Sequence, residues 1–216
     1  MAKLLHILAS PRVDSYSTRV AKAFVNSYRQ ARPEDQIEVL DLFQVDIPAF
    51  NAPQAKAKYA VMGGQTPRDE AEAAWQPVVK TINHFKGFDK YVLSSPMWNF
   101  GVPYRLKQYI DVIVQPSLTV GFSPEKGYTG LVTGRPLLLI LARGGVYKTG
   151  NPLETFDFQE SYLRCIFGFI GFTNIRTVFI QGTMQGAEQV EAETRKAIAE
   201  ASRAAEEFAG KAVAPV

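Results

Sequence analysis

The sequence predicts an α/β fold with three layers, a five-stranded parallel sheet held between helices. Short apolar runs at 3–9, 37–40, 91–94, 137–142 and 175–181 alternate with stretches of helical spacing. That alternation builds parallel sheets covered on both faces. The run Leu137 to Ala142 is apolar throughout, as in a strand buried on both sides. No internal repeat, low-complexity tract or linker divides the 216 residues, so the chain reads as one domain from 1 to 216.

The elements follow in order. Lys3 to Ala9 is the first strand. A polar loop with Pro11 follows, and from Thr18 the positions Val20, Ala21, Phe24, Val25 and Tyr28 keep helical spacing. Ser15 or Ser17 suits its N-cap, and Pro33 ends it. Ile37 to Leu40 is the second strand. Residues 44–66 are broken by Pro48, Pro53 and Gly63-Gly64, with room for a short helix from Ala52 to Val61. The acidic start Asp69-Glu70 opens a helix over 68–86. Tyr91 to Ser94 is the third strand and Tyr104 to Val114 the next helix. Residues 115–135 contain Gly121, Pro124, Gly127, Gly130 and Gly134 and read as a long loop or small hairpin. Leu137 to Ala142 is the fourth strand. A helix over Phe158 to Phe167 is expected to break at Gly168-Phe169-Ile170-Gly171, before the fifth strand, Ile175 to Gln181. Ala187 to Phe208 is a long terminal helix, and the tail 213–216 is expected to fray.

Composition narrows the function. Lys and Arg number 24 against 21 Asp and Glu, a net charge of +3. No basic block accompanies that slight excess, which argues against nucleic acid as a partner. One cysteine, Cys165, excludes an intrachain disulfide and fits a reducing compartment. Cys165 itself reads as a core thiol, and His6, in mid-strand, as a packed and satisfied side chain. The N-terminus has no secretory pattern, and no apolar run approaches the roughly 20 residues that span a bilayer. A soluble, cytoplasmic protein off the membrane is expected. Two histidines and one cysteine, without HxxxH or CxxC spacing, give no metal site.

Three loops then stand out, and in a parallel sheet all three leave from one edge. The first holds Ser10 and Ser15-Tyr16-Ser17-Thr18. Neither G-x-G-x-x-G nor GxxxxGK[ST] is present, so the dinucleotide fingerprint and the P-loop are both absent. Hydroxyls and free N–H groups at a helix N-terminus can hold a phosphate; the same residues also fit a plain N-cap. The second loop, Pro96-Met97-Trp98-Asn99-Phe100-Gly101, offers a flat apolar wall with one amide. Core packing is its plainer reading. The third, Ala142-Arg143-Gly144-Gly145, lets backbone approach a ligand or forms a simple turn.

Taken in order, Ser10-Pro11-Arg12 with Ser15-Tyr16-Ser17, Ser95 to Phe100 with Pro103, Leu131-Val132-Thr133-Gly134, Arg143-Gly144-Gly145 and Gly168-Phe169-Ile170-Gly171 resemble the FMN-dependent NADH azoreductases. These are flavodoxin-like relatives of the NAD(P)H:quinone reductases, and the resemblance covers essentially the whole chain. It implies a flavodoxin-like three-layer sandwich of strand order 2-1-3-4-5 and a homodimer with one FMN per subunit. It implies that Ser10, Ser15, Tyr16 and Ser17 hold the phosphate. Pro96, Met97, Trp98, Asn99 and Phe100 would line the flavin, and Arg143, Gly144 and Gly145 with Ala142 would meet its polar edge. The chain departs from the family at Trp98, usually Tyr, at Ala142, commonly Ser, and in a first loop one residue shorter.

The implied activity is two-electron ping-pong transfer from NADH (or NADPH) through FMN to a quinone or azo compound. The cofactor carries such chemistry, so no catalytic side chain is required. Phe100, Phe122, Tyr128 and Phe169 are the expected substrate walls, some facing the partner subunit's flavin. Two alternatives stay open, a flavodoxin-type electron carrier and a general FMN reductase. The long loops and slight positive charge favour an enzyme over a carrier.

Overall fold

The computed structural model describes residues 1–147 and 150–210. In chain order the elements are β1 (Lys3–Leu8), α1 (Tyr16–Ala31), β2 (Gln36–Asp41), α2 (Ala52–Met62), α3 (Asp69–Lys86), β3 (Lys90–Pro96) and α4 (Tyr104–Ile113). Then come β4 (Val120–Ser123), β5 (Gly127–Gly130), β6 (Pro136–Ala142), α5 (Phe158–Phe169), β7 (Asn174–Ile180) and α6 (Ala187–Phe208).

Five strands form one parallel sheet in the order β2-β1-β3-β6-β7. Counted within that sheet alone, this is the expected 2-1-3-4-5. The hairpin foreseen as one option for 115–135 forms as β4-β5, antiparallel and outside the main sheet. Alternation along the strands sorts side chains to two cores. Leu5, Ile7, Leu93, Leu139 and Leu141 point to the face covered by α3, α4 and α5. Leu4, Val92, Leu138 and Ile140 point to the face covered by α1 and α6. The three central strands are buried on both faces, which is why they read as unbroken apolar runs. The edge strands β2 and β7 are more exposed.

Two expectations are corrected. Helix α5 does not break at Gly168 but continues to Phe169. A helical glycine costs about 1 kcal/mol against alanine, which the anchors Leu163 and Phe167, both buried, offset. Cys165 is not a core thiol; it is exposed. It lies two residues from both anchors, on the far side of the helix from each. His6 is packed as expected, and its Nε2 meets Ser94 Oγ at 2.8 Å across β1 and β3. Burial lowers its pKa to about 4. The expectation for the tail 213–216 falls outside the described residues. No helix among the described residues is long and apolar enough to cross a membrane.

Candidate functional site

All strands of the main sheet end at the same edge, so the loops after β1, β3, β6 and β7 are neighbours there. Backbone bonds join them pairwise. Ala9 N–H donates to Ser94 (2.9 Å), Met97 to Ala142 (2.8 Å) and Arg143 to Ile180 (2.8 Å). Between them lies a cleft of about 240 Å³. Ser10, Ser15 and Tyr16 line it on one side, Pro96, Met97 and Trp98 on another, and Ala142, Gly144, Thr183 and Met184 on a third.

The serine loop is built by helix capping. Ser15 is extended (φ −62°, ψ 150°) and its Oγ accepts from Thr18 N–H, so it is the N-cap of α1. Ser10 Oγ accepts from Arg12 N–H at 3.3 Å. The first turn of α1 carries no acidic residue, so the positive end of its dipole faces the cleft unopposed. The Ser17 side chain turns inward, leaving its backbone at the start of α1. It is fully buried, bonded to Ser15 Oγ at 3.3 Å, and is not among the cleft-lining residues.

The Trp-Asn-Phe loop is a tight two-residue turn. Trp98 and Gly101 exchange backbone hydrogen bonds of 3.1 and 2.9 Å. Both residues between them have positive φ, Asn99 at 48° and Phe100 at 68°. This is the mirror-image turn that asparagine and glycine favour. Asparagine tolerates it, whereas a bulky residue in that region costs about 1–2 kcal/mol. Strain of this kind persists where the surroundings enforce it. Here Phe100 stacks on Phe156, rings 5.2 Å apart, and its carbonyl accepts from Phe158 N–H at 3.2 Å.

The third loop presents backbone to the edge and turns its one long side chain away. Arg143 does not offer its side chain to the cleft; the guanidinium is buried in the protein. It pairs with Asp157 at 2.8 Å, bonds Gln159 at 3.3 Å and lies 4.2 Å from the Phe179 ring centroid. Burial lowers its pKa while Asp157 and Glu160 oppose that shift, and an arginine stays charged. Arg143 therefore ties the segment before α5 to the end of β6. Gly144 and Gly145 stand at the edge. Their carbonyls accept from Met184 and Gly182, while no described residue accepts from their N–H groups. A Cβ on Gly144 would lie 2.8 Å from Met184 Sδ, and one on Gly145 2.9 Å from Leu153 Cδ1. A side chain at either position would thus have to displace the end of Met184 or Leu153.

Three expected substrate aromatics gather and one does not. Phe122 lies 5.2 Å from Tyr128 and Tyr128 5.6 Å from Phe169, ring to ring. All three are exposed. Backbone contact holds this cluster in place. Val132 N–H donates to Ile170 at 2.8 Å, and a Cβ on Gly130 would sit 2.2 Å from Gly171 N. Phe100 pairs with Phe156 instead.

Sequence reasoning missed the loop after β7. Thr183 N–H donates to Arg143 at 2.9 Å, and Met184, largely exposed, overhangs Gly144. The glycines 182 and 186 just past a strand end, at the same edge as the other loops, were the available signal. Phe43 was missed too; it lies on the loop after β2, its ring 6.1 Å from Trp98.

A family model described as flavodoxin-like fold matches residues 2–205. The FMN-dependent NADH:quinone oxidoreductase of Nitratidesulfovibrio vulgaris (strain DP4) is 48% identical over 210 residues, 96% of this chain and 100% of the relative. The enzyme of that name from Desulfotalea psychrophila is 44% identical over 85% of this chain and 87% of the relative. Among known structures, azoreductase from Bacillus anthracis str. Sterne superposes with a TM-score of 0.88 at 30% identity, over 96% of this chain and 100% of that one. An FMN-dependent NADH-azoreductase from Bacillus anthracis str. Ames Ancestor, in complex with FMN, gives 0.85 at 29% identity, over 97% and 100%. Cleft, sheet order and relatives agree: this chain belongs to the flavodoxin-like fold family that contains the FMN-dependent NADH:quinone oxidoreductases.

Proposed function

We propose that this chain is an FMN-dependent NADH:quinone oxidoreductase that also reduces azo compounds, working as a homodimer with one flavin per subunit. One observation carries the reading. The unopposed N-terminus of α1, capped by Ser15, opens into the same cleft as the Met97-Trp98 wall and the edge bearing Gly144. A phosphate suits the first, a flat ring the second and a polar ring edge the third. The cleft lining also contains no Asp, Glu, His, Lys or Cys, so hydride chemistry there needs a cofactor.

When bound, FMN supplies hydride acceptance from NADH and two-electron delivery to the acceptor. The chain's residues position it. Ser10, Ser15, Tyr16 and the first N–H groups of α1, Ser17's included, hold the phosphate. Pro96, Met97, Trp98 and Asn99 form the wall beside the ring, with Phe100 at its outer end. The N–H groups of Gly144 and Gly145, free of partners among the described residues, donate to the ring's polar edge, with Ala142 and the Arg143 backbone beneath them. Such preorganised donors stabilise negative charge as it develops.

The homodimer reading rests on Phe122, Tyr128 and Phe169. These aromatics are exposed and contiguous, a patch that suits a partner's cleft. The single domain 1–216 and a cytoplasmic setting complete the reading; a lone, exposed, free thiol fits a reducing compartment. The test is direct. Purified protein should carry one FMN per chain and elute as a dimer. In anaerobic stopped flow, NADH alone should bleach the flavin and a quinone should restore it. A chain that NADH cannot bleach without a separate reductase is an electron carrier instead. Tyr128→Ala should raise KM for bulky acceptors with FMN retained; equal loss of FMN would remove Tyr128 from the acceptor wall.

A further inference from the structure

Beside the flavin cleft lies a second aromatic surface that the proposed chemistry leaves unused. Trp98 belongs to both. Tyr104 from the start of α4 sits 6.4 Å from it, ring to ring and tilted by 35°. Phe43 meets Tyr104 edge-on (5.9 Å, 88°) and Trp98 at 6.1 Å. The shelf is not core. Tyr104 is 65% and Trp98 38% exposed, and Phe43 is half-buried.

The chain nevertheless fixes this shelf firmly. Arg105 Nε donates to Leu42 O at 2.7 Å, and its Nη2 donates to Val45 O. Gln108 Nε2 donates to Ile47 O at 3.0 Å. Two consecutive-turn residues of α4 thus bolt down the loop carrying Phe43, next to Tyr104. Arg12, exposed and lining the cleft with Trp98, makes no ion pair among the described residues. A rigid aromatic platform joined to an uncommitted cation fits a ligand that carries a flat base and phosphates together. A neutral quinone offers no use for the cation.

We propose that the Phe43–Trp98–Tyr104 shelf stacks the adenine ring of the dinucleotide donor, with Arg12 facing its diphosphate. The inference rests on the oxidoreductase reading and adds to it a site for the half of NADH that does not react. Binding energy from such a remote part lowers KM and steadies the reacting end.

The test uses the FMN-loaded protein with Tyr104→Leu and Phe43→Leu, which keep apolar volume and lose the ring face. In calorimetry, ADP-ribose should bind about tenfold more weakly to Tyr104→Leu and several-fold more weakly to Phe43→Leu. Tyr104→Phe should restore binding. In steady state, the ratio of kcat/KM for NADH to that for reduced nicotinamide mononucleotide, which lacks the adenylate, should fall by the same factors. Unchanged ADP-ribose affinity overturns the proposal. So does a rise in acceptor KM with the nucleotide ratio unmoved, which would make the shelf an acceptor wall. Dissociation of the variants on size exclusion would make it a subunit seam and overturn it equally. Should NADH fail to bleach the parent flavin, the functional reading fails, and the ADP-ribose titration still decides the shelf.

Discussion

The two edges of the central sheet use the same strands and treat polar groups in opposite ways. At the amino edge buried polar side chains pair with one another across the chain. Asp35, its side chain buried, accepts from Ala2 N–H at 2.7 Å and from Tyr28 OH at 2.6 Å, beside Arg32 and Lys90. Lys90 Nζ in turn donates to Tyr28 OH and to the carbonyl of Phe208, tying down the end of α6. Arg135 caps Lys86 O at 2.8 Å and Tyr91 OH at 3.0 Å. At the carboxyl edge the N–H groups of Gly144 and Gly145 find no described acceptor, two residues hold positive φ and several aromatics face outward. The difference teaches where the molecule stores stability and where it keeps unspent binding capacity.

Breaking the closed edge should have the largest effect. Burial disfavours the Asp35 carboxylate, but the bonds from Tyr28 and Ala2 and the charges of Arg32 and Lys90 outweigh it, so its pKa is lowered. Asp35→Ala leaves Lys90 and Tyr28 without their shared partner. A loss of about 3 kcal/mol in urea unfolding is expected, the scale for orphaning a buried charge. FMN affinity of the folded fraction should not change. Loss of FMN affinity without loss of stability would erase the distinction between the edges.

Next comes His6, midway between the edges. Its folded pKa of about 4 lies below the unfolded 6.5, so the unfolded chain takes up the proton first. The stability present above pH 6.5 is therefore lost as pH falls toward 4. Between pH 7 and pH 5 the loss from this group is about 2 kcal/mol. His6→Gln should flatten the pH dependence of unfolding free energy over that interval. An unchanged slope would assign the dependence to carboxylates such as Asp35 instead.

The contrast between the edges also explains what the sequence disclosed. Periodicity located all five sheet strands, because burial on two faces leaves a plain record in runs such as Leu137 to Leu141. The serine, Trp-Asn-Phe and Arg-Gly-Gly loops were legible as unusual composition at strand ends. Side-chain direction was not. Arg143 turns inward to Asp157, a partner too distant in sequence for local spacing to show, and Ser17 turns inward to its neighbour Ser15, a direction that composition does not encode. Cys165 was misjudged through composition where helical phase from Leu163 would have placed it outside. Nor could sequence foresee Phe100 at φ 68°, since a phenylalanine carries no preference for that region.

A third test keeps the cap and alters the charge at the open edge. Ser15→Ala removes the side chain that accepts from Thr18 N–H and should cost about 1 kcal/mol. Ser15→Asp preserves an acceptor and a cap, so thermal stability should hold near the parent's. It places a negative charge where the phosphate is expected, so FMN affinity should fall further in Ser15→Asp than in Ser15→Ala. Retained FMN in the aspartate variant would move the phosphate away from α1.

The smallest effect concerns the strained turn, and it separates backbone from side chain. Phe100→Ala and Phe100→Gly both lose the contact with Phe156. They differ in backbone preference alone. At φ 68° alanine pays the left-handed penalty, about 1–2 kcal/mol, while glycine does not. Glycine's greater freedom in the unfolded chain returns about 0.5–1 kcal/mol of that advantage. Phe100→Gly should therefore be more stable than Phe100→Ala by about 0.5 kcal/mol, read by chemical denaturation of the two side by side. If alanine matches or exceeds glycine, the turn relaxes on losing the ring, and it is the Phe100–Phe156 stack that holds the backbone in its strained form. If glycine wins, the turn persists without the ring. The open edge then keeps Phe100 at a standing cost in stability.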